Sequence, residues 1–146
     1  MGAGLSLHIG AVRDRRNDVF AEDARRFAAF ACERGFEVLA VLDHEVTIAA
    51  IRRAIEAAAA RLGPGDTFLL TYSGHGARPR RWAAGAVGDW VLSRETEVLS
   101  HAYLERCLLS RFAAGVRVIV VADACFSGAA PAAEPGLARE ETSCPG

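Results

Sequence analysis

Two short runs in this 146-residue chain hold the side chains best suited to covalent chemistry. Ser73-Gly74-His75-Gly76 offers an imidazole between two glycines. Asp123-Ala124-Cys125-Phe126-Ser127-Gly128 offers a thiol just ahead of a tight Ser-Gly turn. A thiol attacks a carbonyl as its thiolate, so it needs a base or a lowered pKa, and a neighbouring imidazole supplies that. Flanking glycines leave the imidazole unobstructed and let a substrate backbone come close. Taken singly, a histidine in a glycine loop is ordinarily a turn residue, and a cysteine at the end of an apolar strand is ordinarily core. Their meaning depends on whether the fold brings the two runs to one place.

The elements that must do so can be read from periodicity. Leu5 to Gly10 alternates as a first strand, and Phe36 to Leu42 is a second. Thr67 to Tyr72 is a third, and Val116 to Ala122 a fourth, apolar enough throughout to be buried on both faces. Asn17 or Asp18 caps a helix to about Arg34, with Phe20, Ala24, Phe27, Ala28 and Ala31 on one stripe and Gly35 ending it. Thr47 caps a second helix through Leu62, and Gly63-Pro64-Gly65-Asp66 breaks the chain. Ser73 to Gly88 reads as a Gly- and Arg-rich loop, and Trp90 to Leu92 as a short strand. Ser100 caps a third helix to about Ala114. Strands alternating with helices predict a mainly parallel sheet with helices on both faces. Ligands then sit at the carboxyl ends of the strands, and both chemical runs leave that edge.

Composition excludes several classes. A net charge of -1 lacks the basic excess of a nucleic-acid module. No apolar run approaches the roughly 18 residues of a membrane span, and no secretory leader opens the chain, so a cytoplasmic protein with no membrane or nucleic-acid partner is expected. All 17 basic residues are Arg, a codon bias that points to a GC-rich bacterial genome. Cys32 and Cys107 fall on apolar helix faces, and no cysteine pair has metal-ligand spacing.

His75 and Cys125 stand fifty residues apart, the caspase-type separation. With Leu7-His8-Ile9-Gly10, Glu22-Asp23-Ala24-Arg25, Gly65-Asp66 through Gly76 and Gly115 through Gly128, the chain resembles the caspase-like clan, specifically the bacterial metacaspases or orthocaspases. The resemblance runs from about Leu5 to Gly128. It implies an α/β, caspase-like three-layer sandwich over residues 1–128, followed by an irregular tail over 129–146. It implies Cys125 as nucleophile and His75 as general base and acid. The oxyanion hole would be the backbone N–H groups of Gly76 and Cys125. Metacaspases carry acids in the first specificity pocket and cut after Arg or Lys. Asp23, Ser73 and Asp123 match those pocket positions, and carboxylates pair with a guanidinium through short charge-assisted bonds. Without the resemblance, Asp23 would read as a first-turn acid favoured by the helix dipole.

The chain also departs from the family. Phe126 stands where many relatives have a polar residue, and the stretch after His75 is Arg-rich where relatives carry acids. Asp89 alone cannot supply the roughly 6–8 oxygens of a calcium site, so no metal or cofactor is expected. The family's sheet continues past the nucleophile, whereas Pro131 to Gly146 shows no strand-like run. An apolar strand edge left open is a template for pairing, so either a C-terminal segment or a second chain is expected to complete the sheet. Two further readings stand against the peptidase. A catalytically incomplete module could serve as a scaffold, although a decayed enzyme has no chemical reason to retain both Cys125 and His75. A flavodoxin-like phosphate binder would need a glycine- or hydroxyl-rich loop after the first strand, and residues 11–17 are Arg-rich without glycine.

Overall fold

The computed structural model describes residues 2–11, 19–44, 46–78, 88–93 and 97–124. Cys125 and the expected tail therefore lie outside the described residues, as do the expected caps Asn17 and Asp18. Strands β1 (Gly4–Gly10), β2 (Glu37–Leu42), β3 (Thr67–Ser73) and β7 (Arg117–Asp123) form one parallel sheet in the order β2-β1-β3-β7. A second, antiparallel sheet joins β4 (His75–Ala77), β5 (Asp89–Val91) and β6 (Val98–Leu99) in sequence order. Helix α1 spans Val19–Glu33 and α2 spans Ile48–Arg61. The third helix begins as α3 (His101–Tyr103), then loosens into a π turn over Leu104–Leu108 and tightens into a 3-10 turn over Leu109–Arg111. Among the described residues, no helix is long and apolar enough to cross a membrane.

Register explains the two faces of the parallel sheet. Leu5, Leu7 and Ile9 of β1 pair with Phe68, Leu70 and Tyr72 of β3, and those with Val118, Val120 and Ala122 of β7. This face meets Ile51, Ile55 and Ala58 of α2 and forms the main core with Leu104 and Leu108. Thr47 starts α2 as its sequence demands, its Oγ1 accepting from the Ala50 N–H at 3.1 Å. The break after α2 is held by Asp66, whose carboxylate accepts from the Gly63 and Ala3 N–H groups at 2.8 and 2.7 Å. Those two backbone bonds, Gly63 first, hold its pKa below the usual value. Truncating Ile55, fully buried in this core, is expected to destabilise the fold by about 2–5 kcal/mol, read from the urea midpoint of Ile55→Ala.

The opposite face is narrower and more polar. Here Ser6, His8 and Gly10 pair with Leu69, Thr71 and Ser73. Helix α1 covers it with small residues, Ala21, Ala24, Ala28 and Ala31. That choice lets the helix backbone come close to the strands. At Gly10 an added Cβ would stand 2.2 Å from the Phe20 carbonyl oxygen, so only glycine permits this contact. The phenylalanines farther along the helix lie aside from it. Phe27 is half-buried, and Phe30 is exposed with the Arg34 guanidinium 3.8 Å above its ring. Cys32 is exposed rather than packed, whereas Cys107 sits in the main core.

His8 is a buried titratable group on this face. Its Nδ1 lies 2.8 Å from the Thr71 hydroxyl, and its Nε2 has no hydrogen-bond partner among the described residues. Burial lowers its pKa to about 4, because the charged ring loses its hydration there. The unfolded chain takes up this proton near pH 6.5 and the folded chain near 4. His8 therefore costs nothing above pH 6.5, and stability falls as pH drops from there to about 4. Urea denaturation is expected to show a loss of roughly 2 kcal/mol across that window, flattened in His8→Gln.

β7 departs from the expectation of a strand buried on both faces. Ile119, Val120 and Val121 are 37–39% exposed. Among the described residues β3 is its one strand neighbour. An apolar composition reports that a strand is to be covered and says nothing about what covers it.

Candidate active site

The carboxyl edge of the parallel sheet is where the sequence-predicted residues gather. Gly10, Ser73 and Asp123 form one register row across β1, β3 and β7. The row extends by two bonds: the Ala11 N–H donates to the Ser73 carbonyl at 2.9 Å, and the Gly74 N–H to the Asp123 carbonyl at 3.3 Å. His75 follows Ser73 by two residues, and Cys125 follows Asp123 by two. The two chemical runs thus leave neighbouring strands at the same height.

His75 is not in an open loop, as its glycines suggested, but begins β4. His75, Gly76 and Ala77 pair antiparallel with Val91, Trp90 and Asp89. The cause lies in Tyr72. Its ring is fully buried and stacks on Trp90, with centroids 4.3 Å apart and planes within 3°. Its hydroxyl lies 2.7 Å from both the His75 and the Val91 carbonyl oxygens, joining the two strands of the small sheet at their first pair. Burial pushes the phenol's pKa far up, so it stays a neutral donor. Sequence reasoning counted Tyr72 and Trp90 only as strand residues. A three-residue strand has too little alternation to announce itself, and the aromatic pair that defines it spans eighteen positions.

Gly74 is fixed by the same hydroxyl. A Cβ there would stand 2.6 Å from the Tyr72 oxygen and 3.0 Å from the Ala11 Cβ. Gly74→Ala is expected to displace Tyr72 from its two carbonyls and to cost about 1–3 kcal/mol, measured by thermal unfolding. The His75 ring is exposed on one side and meets the Phe20 ring on the other, edge to face, with centroids 5.1 Å apart.

The three expected pocket residues come from three elements, two of them joined by a hydrogen bond and two by strand register. The Ser73 hydroxyl, buried at 1% exposure, donates to the Asp23 carboxylate of α1 at 3.0 Å. Asp123 is exposed at the end of β7 as the register partner of Ser73. Asp23 is therefore not a solvated first-turn acid: its carboxylate is turned onto the sheet edge. Carboxylates at a sheet edge carry the charge that pairs with a cation. Gly76 is half-buried in β4, and Cys125, the remaining expected site residue, lies outside the described residues.

The Peptidase_C14 caspase-domain model matches residues 11–144. The chain belongs to the caspase-domain family. No curated protein matches it. Among solved structures, it is similar to protein GSU0716 from Geobacter sulfurreducens, with 37% identity and a TM-score of 0.64. That likeness covers 88% of this chain and 52% of the other, so this caspase-domain chain spans about half the length of that relative.

Proposed function

We propose that this caspase-domain chain is a cysteine endopeptidase of the metacaspase type, cutting peptide bonds after Arg or Lys. The observation that carries the reading is the row Ser73–Asp123 with Asp23 bonded to it. It sets two carboxylates beside the two chain positions from which His75 and Cys125 follow.

The chemistry follows from the residue types. Asp23 and Asp123 hold the guanidinium of the substrate, which lays the following carbonyl across the sheet edge. His75 accepts the thiol proton of Cys125, and the thiolate adds to that carbonyl carbon. The carbonyl oxygen becomes an oxyanion, held by the N–H groups of Gly76 and Cys125. Collapse breaks the C–N bond, and the proton on His75 passes to the leaving amine. Water, deprotonated by His75, then adds to the thioester. The second collapse releases the new carboxyl terminus and returns the thiol. No metal or cofactor enters any step.

In this reading the open edge of β7 is completed by a C-terminal segment or a second chain, since Ile119, Val120 and Val121 are apolar and exposed there. The deciding experiment is cleavage of fluorogenic peptides ending in Arg, Lys, Asp or Leu. Release from the Arg and Lys peptides, absent in Cys125→Ala, is the expected result. Cleavage of the Asp peptide alone would overturn the specificity, and cleavage of none, with a C-terminal segment supplied as well as without, would overturn the activity.

A further inference from the structure

The contacts around His75 close a ring. Phe20 and Asp23 stand three residues apart on α1, one turn and one side of the helix. Asp23 accepts from the Ser73 hydroxyl at 3.0 Å. Ser73 is joined to His75 through Gly74, which has no free space beside Tyr72 and Ala11. The His75 ring returns to Phe20 at 5.1 Å. The turn that carries Phe20 lies close against β1, since an added Cβ at Gly10 would stand 2.2 Å from the Phe20 carbonyl oxygen. The His75 backbone is held by the Tyr72 hydroxyl on its carbonyl. What remains free is rotation of the His75 side chain, and the described residue whose ring touches it is Phe20.

We infer that Phe20 is a positioning residue for His75, and that it links the orientation of this imidazole to occupancy of the cation pocket at Asp23 and Ser73. The inference rests on the peptidase reading above for the role of the pocket; the contact itself does not. A cation drawn to Asp23 acts on the helix turn that carries Phe20. The edge-to-face contact passes that change to the imidazole, because an aromatic ring against an imidazole has few favourable tilts. The substrate side chain then does two things. It anchors the peptide, and it sets the ring that handles the thiol proton. An uncharged side chain would leave the imidazole less well aligned. Part of the discrimination between substrates would then appear in kcat rather than in KM.

The test uses the whole chain, with agmatine as the cation probe and the imidazole protons as the readout. The chain has four histidines, so the His75 Cε1–H signal is assigned as the one lost in His75→Gln. In the parent chain, agmatine is expected to move this signal. In Phe20→Leu the signal should start from a different position and no longer respond to agmatine, while calorimetry still detects agmatine binding. Phe20→Tyr, which keeps the ring, should restore both position and response. On an Arg peptide, Phe20→Leu should lower kcat about tenfold with KM within about twofold, as expected for lost alignment rather than lost binding. An unmoved His75 signal in Phe20→Leu, or a response to agmatine that survives it, overturns the inference. A parent chain that neither binds agmatine nor cleaves peptides overturns the peptidase reading instead. The position of the His75 signal in Phe20→Leu still decides the positioning role in that case.

Discussion

Cys125→Ala and His75→Ala are each expected to lower kcat on an Arg-terminated peptide by roughly 10³-fold or more, with little change in KM. The two losses should not add. A thiol without its base and a base without its thiol both stop the same step, so the double variant should be about as slow as either single one. The comparison is worth making because it separates a working pair from two independent contributors. Additive losses would mean that His75 acts elsewhere, for instance on the leaving group alone. Stability offers the control. His75 is exposed, and its ring contact is with Phe20 alone among the described residues, so His75→Ala should shift the unfolding midpoint little. A large loss of both stability and activity would mark His75 as structural.

How much of this site could be read from the chain is best seen residue by residue. The pairing of Ser73 with Asp123 was in effect legible, because two apolar strands ending in Tyr72-Ser73 and Ala122-Asp123 leave little choice of register once they are neighbours. The bond from Ser73 to Asp23 was not legible from spacing, since fifty residues separate them and a first-turn acid has a sufficient local explanation in the helix dipole. Only the family likeness pointed there. Phe20 was misassigned for a related reason. Helical periodicity marks which residues are apolar on one side, but Gly10 draws α1 so close that the sheet accepts only alanines, and the first large residue is turned toward His75. β4 and β6 were missed because they are three and two residues long. Their stability comes from Tyr72 and Trp90, whose contact is tertiary. The exposure of β7 was the reverse case. Its composition was read correctly, yet burial is a property of what lies against a strand.

The largest effect on specificity is expected at the two acids. Asp123→Asn keeps size and polarity but removes the charge, and Asp23→Asn does the same beneath Ser73. Against an Arg peptide, each change is expected to lower kcat/KM by about 10–100-fold, the equivalent of about 1.5–3 kcal/mol for a hydrogen bond to a charged group. Against the matching citrulline peptide, which has the same shape and no charge, the change should be within about twofold, because a neutral urea gains little from a carboxylate. The two positions should differ in their response to salt. Asp123 is exposed, so its contribution should shrink as ionic strength rises past the range where the screening length falls below about 10 Å. Asp23 is half-buried and already oriented by the Ser73 hydroxyl, so its contribution should persist. Ser73→Ala adds the last arm. It keeps the charge of Asp23 and removes the bond that aims it, so it should cost less than Asp23→Asn on the Arg peptide. Equal losses on Arg and citrulline peptides would show instead that these carboxylates hold the sheet edge together, and that charge recognition lies elsewhere.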